Sequence, residues 1–489
     1  MTSVLMLQGT ASDVGKSLIT MGLCRLARRR GMSVAPFKPQ NMSNNAAACP
    51  RGGEIGRAQA LQALAAGLEP HPDMNPVLLK PESDLRAQIV VQGEVAGQLG
   101  AVDYLHEREY LRTAIDDSFR RLRQRYDLVL VEGAGSPAET NLRQHDLANM
   151  GFATRANVPV CLIGDIDRGG VIANIVGTQA VLSPEDKALI CGFLVNKFRG
   201  DRALFEHGRR DIETRTSWPC FGVMSWTSSA AKLPAEDAVV LQKLREKGSG
   251  ALRIVAPMLS RIANFDDADP LIQEPTVAFQ WVPPGEPIPR DADVVILFGS
   301  KSTNSEISFI RAQGWDHDIL AHARTGGRVL GLCGGYQMLG EYIHDPHGYD
   351  GVPGTVEGLG LLQVSTTMQE RKTVKQVEVQ CASSGLPVKG YEIHVGDTSG
   401  RDCDRPLTYA GDQKGGAKSA NGRIEGSYIH GLFSNDDYRR DWILRAGAHV
   451  QNSVSYQGSV EAAIDEFADA MESDLNIDAL LACAAGKST

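Results

Sequence analysis

Short apolar runs of five to eight residues punctuate the chain, and most end in a loop of Gly, Asn, Asp or Ser. Runs at 3–8, 33–38, 127–131, 158–164 and 188–195 read as buried strands of a first half. A run starting at 252, with 292–298 and 328–332, reads the same way in a second half. Helix-like segments follow or separate them, up to about residue 30, at 54–67, at 103–125 and at 336–343. Strands alternating with helices across short turns predict an α/β chain built on two doubly wound, mainly parallel sheets. Residues 70–100 carry no pattern that places them. The apolar rhythm weakens from 227 to 250, where Glu246-Lys247-Gly248-Ser249-Gly250 has the composition of a linker. The expected division is therefore 1–226, a linker at 227–250, and 251–489.

The chemistry sits at the strand ends. The first strand enters Gly9-Thr10-Ala11-Ser12-Asp13-Val14-Gly15-Lys16-Ser17 and then a helix. Glycines, a lysine and a hydroxyl in that context form a phosphate cradle: backbone N–H groups of Gly9, Thr10 and Gly15 face the anion, Lys16 neutralises it, and Ser17 can hold Mg²⁺. Five residues separate the two glycines, one more than in the standard P-loop. The 127–131 strand ends in Glu132, the position of a Mg²⁺-organising carboxylate opposite such a loop. Asp165 and Asp167 close the next strand as further metal or substrate candidates, with capping of the next helix the alternative for one of them, and Asn196-Lys197 closes another where a nucleobase could be read. After the 33–38 strand comes Lys38-Pro39-Gln40-Asn41-Met42-Ser43-Asn44-Asn45, whose amides suit a polar ligand or a solvated loop about equally.

In the second half the 328–332 strand delivers Cys333 between Gly331 and the pair Gly334-Gly335. A tight strand-to-helix turn of this kind is a nucleophile elbow, and it sets a thiol at a helix N-terminus. Its base should be a histidine within hydrogen-bond reach. His430, in Tyr428-Ile429-His430-Gly431, is the leading candidate, and His394 beside Glu392 is the rival. Three acids at 264–269 read as a solvated turn ahead of the alternative, the lining of a site's entrance.

Bulk properties narrow the classes. A chain of 489 residues exceeds one core, and 42% hydrophobic with 22% charged residues excludes extensive disorder. A net charge of −9 offers no global attraction for nucleic acid. Nine cysteines are scattered without a CxxC pair, which suggests a reducing compartment and no zinc. No run is long enough to span a bilayer, and no basic segment precedes the first strand. A soluble cytoplasmic protein is expected.

Together these segments resemble the cobyric acid synthases, glutamine-dependent amidotransferases of cobalamin biosynthesis, over essentially the whole chain. The first half is similar to ATP-binding domains of the dethiobiotin synthetase type, which share the lengthened loop. The Lys38–Asn45 run is similar to that of cobyric acid synthases and differs from that of the a,c-diamide synthases. The second half resembles flavodoxin-like class I glutamine amidotransferases. The resemblance implies ATP, Mg²⁺ and glutamine, with a corrinoid as acceptor, and excludes membrane and nucleic-acid partners. It implies Cys333 as nucleophile, His430 as base, Gln337 on glutamine, and Gly299 and Gly334 as oxyanion donors. It also implies nucleotide contacts from Lys16, Lys38 and Asn196, metal at Ser17 and Glu132, and corrinoid contacts from Gln40, Asn41, Asn44 and Asn45. One position departs: class I enzymes carry a glutamate two residues after the histidine, and here Leu432 stands there. Glu425 and Asp436 are the acids nearest in sequence. A different class, a nucleotide-switch protein with a vestigial glutaminase half, would lack an intact elbow.

Overall fold

Each expected strand carries alternating residues to opposite faces, and the first sheet shows why both are apolar. The computed structural model describes residues 2–82, 86–100, 108–236, 241, 246–450 and 454–486. Six parallel strands form that sheet: β1 (Ser3–Gly9), β2 (Val34–Phe37), β3 (Leu128–Glu132), β4 (Val160–Asp165), β5 (Ile190–Phe198) and β6 (Cys220–Ser225). Their order is β6-β5-β4-β1-β3-β2. Leu5, Leu7, Leu128 and Leu130 enter one core, whereas Val4, Met6, Val129 and Val131 enter the other. The strand order reverses beside β1, so the loop after it opens into the crevice where such sheets bind ligands.

Helix α1 (Lys16–Arg29) and helix α2 (Arg57–Ala66) cover one face. Described residues of the stretch without a sequence pattern form strands: Val77–Pro81, Arg86–Val91 and Glu94–Gly100 make a small sheet with Gln40–Met42, flanking the first.

The second sheet centres on five parallel strands: β7 (Leu252–Pro257), β8 (Val277–Val282), β9 (Val294–Leu297), β10 (Arg328–Leu332) and β11 (Ile424–Ser427). Their order, β8-β7-β9-β10-β11, is the flavodoxin-like 2-1-3-4-5 arrangement. Short antiparallel strands, Glu246–Lys247 and Ala417–Lys418, close its edges. A hairpin of Thr373–Cys381 and Pro387–His394 pairs with Ile429–His430, setting Tyr391 opposite His430.

Two expectations are corrected. Residues 251–489 do not form one unit, because the chain returns to the first sheet. Helices α4 (Tyr456–Asp474) and α5 (Ile477–Ala484) place Val460, Ile464, Phe467, Met471 and Leu480 in the core against α1. Arg25 and Arg29 of α1, with Arg30 just beyond it, meet Glu461, Asp465, Asp469, Glu472 and Asp478 along that seam. Nor is 227–250 a spacer throughout, since residues 230–236 wall the phosphate-loop cleft.

Candidate active site

Strand β10 runs into Cys333, whose backbone is left-handed at φ 53°. The helix that follows, α3 (Gly334–Leu339), is shorter than the pattern implied, and Tyr342–Asp345 is a strand. The glycines around the cysteine are required by close approach: a Cβ on Gly335 would lie 1.9 Å from the Leu297 carbonyl oxygen. Cys333 Sγ is 3.3 Å from the carbonyl oxygen of Ile393. His430, buried, lines the same pocket as Cys333. Its Nδ1 lies 2.7 Å from Asp267 Oδ2, while Asp267 Oδ1 accepts the Gly431 N–H at 2.7 Å. Burial disfavours the imidazolium, but the Asp267 charge and hydrogen bond, with the Cys333 sulfur, outweigh it and hold His430 up to about 10. Cys333, His430 and Asp267 thus have the nucleophile, base and orienting-acid arrangement.

Asp267 corrects the sequence expectation twice. The acids at 264–269 are not a solvated turn, and the orienting acid comes from before β8 rather than from beside the histidine. Glu425 accepts from Trp442 and Arg445, and Asp436 accepts from Arg439 and the Tyr456 N–H. Leu432 is buried in the core. His394 lines the same pocket, but its ring stacks on Tyr428 at 3.8 Å and its Nδ1 meets the Gly396 carbonyl oxygen at 3.1 Å. Gln337, Gly299 and Gly334 also line the pocket. The Gln337 amide accepts from Thr303 Oγ1 and donates to Val395 O and Tyr428 Oη, so it is held rigidly.

The phosphate loop opens into a second cavity of about 940 Å³. Gly15 is left-handed at φ 98°, and Lys16 Nζ donates to Ala11 O (3.3 Å) and Gly135 O (3.1 Å) across the mouth. Burial, opposed by Glu132 and joined by Lys38, lowers the Lys16 pKa. Ser17 Oγ donates to Glu132 Oε1 (2.8 Å) and to Glu236 Oε2 (3.0 Å). Lys38 Nζ pairs with the same two carboxylates at 2.9 and 3.1 Å. Burial lowers the Lys38 pKa, but Glu132 and Glu236 outweigh it and keep the ammonium charged. Within the loop, Thr10 Oγ1 is buried with no partner among the described residues. A hydroxyl, two carboxylates, two lysines and an open donor fit a phosphate chain with Mg²⁺, which prefers oxygen ligands shared with phosphate.

Other predicted residues are engaged inside the protein. Asn196 Nδ2 donates to Val14 O at 2.8 Å and its Oδ1 accepts the Lys197 N–H, which ties the end of β5 to the phosphate loop. Asp165 pairs with Lys197 and Asp167 with Arg199, and neither lines the cleft. The 40–45 run divides. Gln40 and Asn41 line the phosphate cleft, and Asn44 lines the Cys333 pocket. Asn41 Nδ2 donates to Glu236 Oε1 at 2.9 Å, and Asn45 Oδ1 accepts the Asn264 N–H at 2.7 Å. The run therefore lies between the two chambers.

Residues 5–240 match the CobQ/CobB/MinD/ParA nucleotide binding domain, and 253–438 match the CobB/CobQ-like glutamine amidotransferase domain. A cobyric acid synthase of Hyphomonas neptunium is 60% identical over 98% of this chain and 97% of its own. One of Paracoccus denitrificans is 58% identical over 98% and 99%. The chain belongs to the cobyric acid synthase family. Among solved structures, PurLQS from Thermotoga maritima aligns with a TM-score of 0.30 and 15% identity, covering 44% of this chain and 98% of that one.

For a cobyric acid synthase, sequence reading missed two polar groups of these sites. Asp267 and Glu236 both lie outside any strand-end motif, in stretches that read as a turn and a linker. The signal available was weak: a carboxylate in each stretch, with nothing local to say what it would face.

Proposed function

We propose that the chain amidates the b, d, e and g side-chain carboxylates of adenosylcobyrinic acid a,c-diamide, using ATP and glutamine, to give adenosylcobyric acid. The observation that carries this reading is the 40–45 run, which contributes walls to both the phosphate cleft and the Cys333 pocket. The cleft also has an apolar side formed by Leu233, Leu241, Phe265, Ile272 and Trp281, suited to a large amphipathic macrocycle. Trp281 Nε1 is buried without a partner among the described residues and offers that ligand a donor.

A carboxylate is a poor electrophile, so the acceptor is first phosphorylated by ATP. Lys16 and Lys38 stabilise the transferring phosphoryl group. Ser17 and Glu132 would hold Mg²⁺, which supplies charge neutralisation on the phosphates. Among the described residues no cluster of three or more His, Cys, Asp or Glu forms a metal cage, so the ion's other ligands would come from phosphate and water. In the other chamber Cys333 Sγ attacks the glutamine amide carbon, and Gly299 and Gly334 N–H groups meet the developing oxyanion. His430 donates a proton to the departing ammonia and then takes one from the water that hydrolyses the thioester. Ammonia released into bulk water would be protonated, so it passes internally and displaces phosphate from the acyl phosphate. The substrate rebinds for each of the four positions. Among the described residues no helix is long and apolar enough to cross a membrane, and the nine cysteines are free, which suits the reducing cytoplasm.

Product mass decides the assignment. With ATP, Mg²⁺, glutamine and adenosylcobyrinic acid a,c-diamide, each amidation lowers the mass by about one unit. Cys333→Ala loses that series with glutamine and regains it with ammonium. An unchanged corrinoid mass in folded protein would sink the substrate assignment, and glutamine-dependent product from Cys333→Ala would remove Cys333 from the mechanism.

A further inference from the structure

The Cys333 pocket has a cationic wall that thioester chemistry does not use. Lys80, Lys301 and Lys372 line it, and Asp350 is the one carboxylate among the lining residues. Lys301 is paired with Glu82 at 2.8 Å. The other two lysines share a single acid: Lys80 Nζ is 2.9 Å from Glu54 Oε2, and Lys372 Nζ bonds to Glu54 Oε1 and, at 3.3 Å, to Gln88 Oε1. Glu54 is fully buried, and the side chains of Lys80 and Lys372 are 4% and 9% exposed.

Two ammonium groups against one carboxylate leave an unmatched positive charge, which is costly in a buried site unless an anion meets it. Burial, opposed by Glu54 and reinforced by Lys80 and Lys301, brings the Lys372 pKa down to about 7. Asn44 donates to the Pro81 carbonyl oxygen, but its Oδ1 is buried with no partner among the described residues. Burial raises the Asp350 pKa to about 7, with the Asn304 N–H and Lys301 opposing, so that carboxylate would gain from a cation. The wall thus presents a positive pole and a negative pole within the pocket that holds the nucleophile.

We infer that Lys80 and Lys372 receive the α-carboxylate of glutamine, while Asn44 Oδ1 and Asp350 face its α-ammonium. The nucleotide-binding half would then complete the glutamine site, since Lys80, Glu54 and Asn44 belong to it. This rests on Cys333 being the glutaminase nucleophile. Recognising both poles separates glutamine from other primary amides, because a site built for a charged group rejects a ligand that lacks it.

The test compares glutamine with 4-aminobutanamide, the same amide without the α-carboxylate, in the full chain and in Lys80→Met and Lys372→Met. Ammonium-supported amidation of each protein serves as the reference for an intact nucleotide-binding half. Wild-type enzyme should prefer glutamine by roughly 30-fold or more in kcat/KM. Each variant should bring that preference to within about threefold through a higher KM for glutamine. A wild-type enzyme without the preference, or variants that keep it, would overturn the inference. Glutamine hydrolysis by Cys333→Ala would instead overturn the reading on which it rests.

Discussion

The backbone N–H of Asn264 donates to Asn45 Oδ1 at 2.7 Å, and that contact joins the two chambers. On one side, Asn45 Nδ2 holds the carbonyl oxygens of Ala235 and Glu236, whose carboxylate meets Ser17 and Lys38. On the other, Asn264 leads into the turn Phe265–Ala268, which carries Asp267 to His430. Asn45→Ala breaks the series and orphans a buried N–H, at about 1–3 kcal/mol. Coupling through this bond predicts that ATP and corrinoid together accelerate glutamine hydrolysis in the wild type and fail to do so in Asn45→Ala. Measuring glutamate release with and without both ligands checks this, and a variant with the wild-type ratio would exclude coupling through this bond.

Asp267→Asn should lower glutamine-dependent turnover by about 10²–10⁴-fold, because the ring loses its orienting carboxylate. The pH dependence of stability gives an independent reading. Folding raises the His430 pKa to about 10. A raised pKa stabilises fully below the unfolded value of about 6.5, and that contribution is lost as pH rises through the folded value. Wild type should therefore exceed Asp267→Asn in melting temperature most at pH 6, with the gap closing towards pH 10. A gap that widens with pH would contradict the ion pair.

How much of this was legible follows from where each group sits. Lys16, Ser17, Glu132 and Cys333 ride on local strand-to-loop patterns, so their identity and neighbourhood are written within a few residues. Asp267 and Glu236 gain meaning only when a distant strand or loop packs against them, and nothing near either one announces that partner. The same holds for α4 and α5: their amphipathic pattern shows a buried face but not which sheet it covers. The Asn-rich run read equally as a ligand site and as a solvated loop, and its division between two chambers depends on how the halves dock.

Lys16→Met should abolish amidation with either nitrogen donor, since the proposed mechanism gives the lysine a part in acceptor activation and none in glutamine hydrolysis. Its Nζ donates to the carbonyl oxygens of Ala11 and Gly135, so the substitution uncovers two neutral acceptors at the mouth of the cleft. A loss of about 10²-fold or more with ammonium as donor is expected. Full ammonium-supported activity would take Lys16 out of phosphoryl transfer.

Gly335→Ala probes the elbow without touching its chemistry. The new Cβ would lie 1.9 Å from the Leu297 carbonyl oxygen and 2.6 Å from its carbon, both backbone atoms of the central strand β9. Relief requires moving α3 away from the sheet, which costs about 1–3 kcal/mol as overpacking does, or more. Thermal unfolding should show the loss, together with weaker glutaminase activity. An unchanged melting temperature would show that the strand and helix are less closely seated.

Removing residues 454–489 should damage the nucleotide-binding half, although that segment follows the amidotransferase half in sequence. Helix α1 rests directly on α4: a Cβ on Gly22 would fall 2.2 Å from Met471 Sδ and 3.1 Å from Phe467. Val460, Ile464, Phe467, Met471 and Leu480 are all buried in this core. Each such side chain contributes about 1.5–3 kcal/mol by leaving water, which together is comparable to the whole stability of a domain. The Arg29 and Arg30 pairs along the seam are partly exposed and add little, whereas Arg25 is buried. The truncated chain should therefore lose nucleotide binding, measured by titration with a fluorescent ATP analogue, and ammonium-supported amidation with it. Wild-type ATP affinity in the truncated chain would show that α1 and the phosphate loop hold their conformation without α4 and α5.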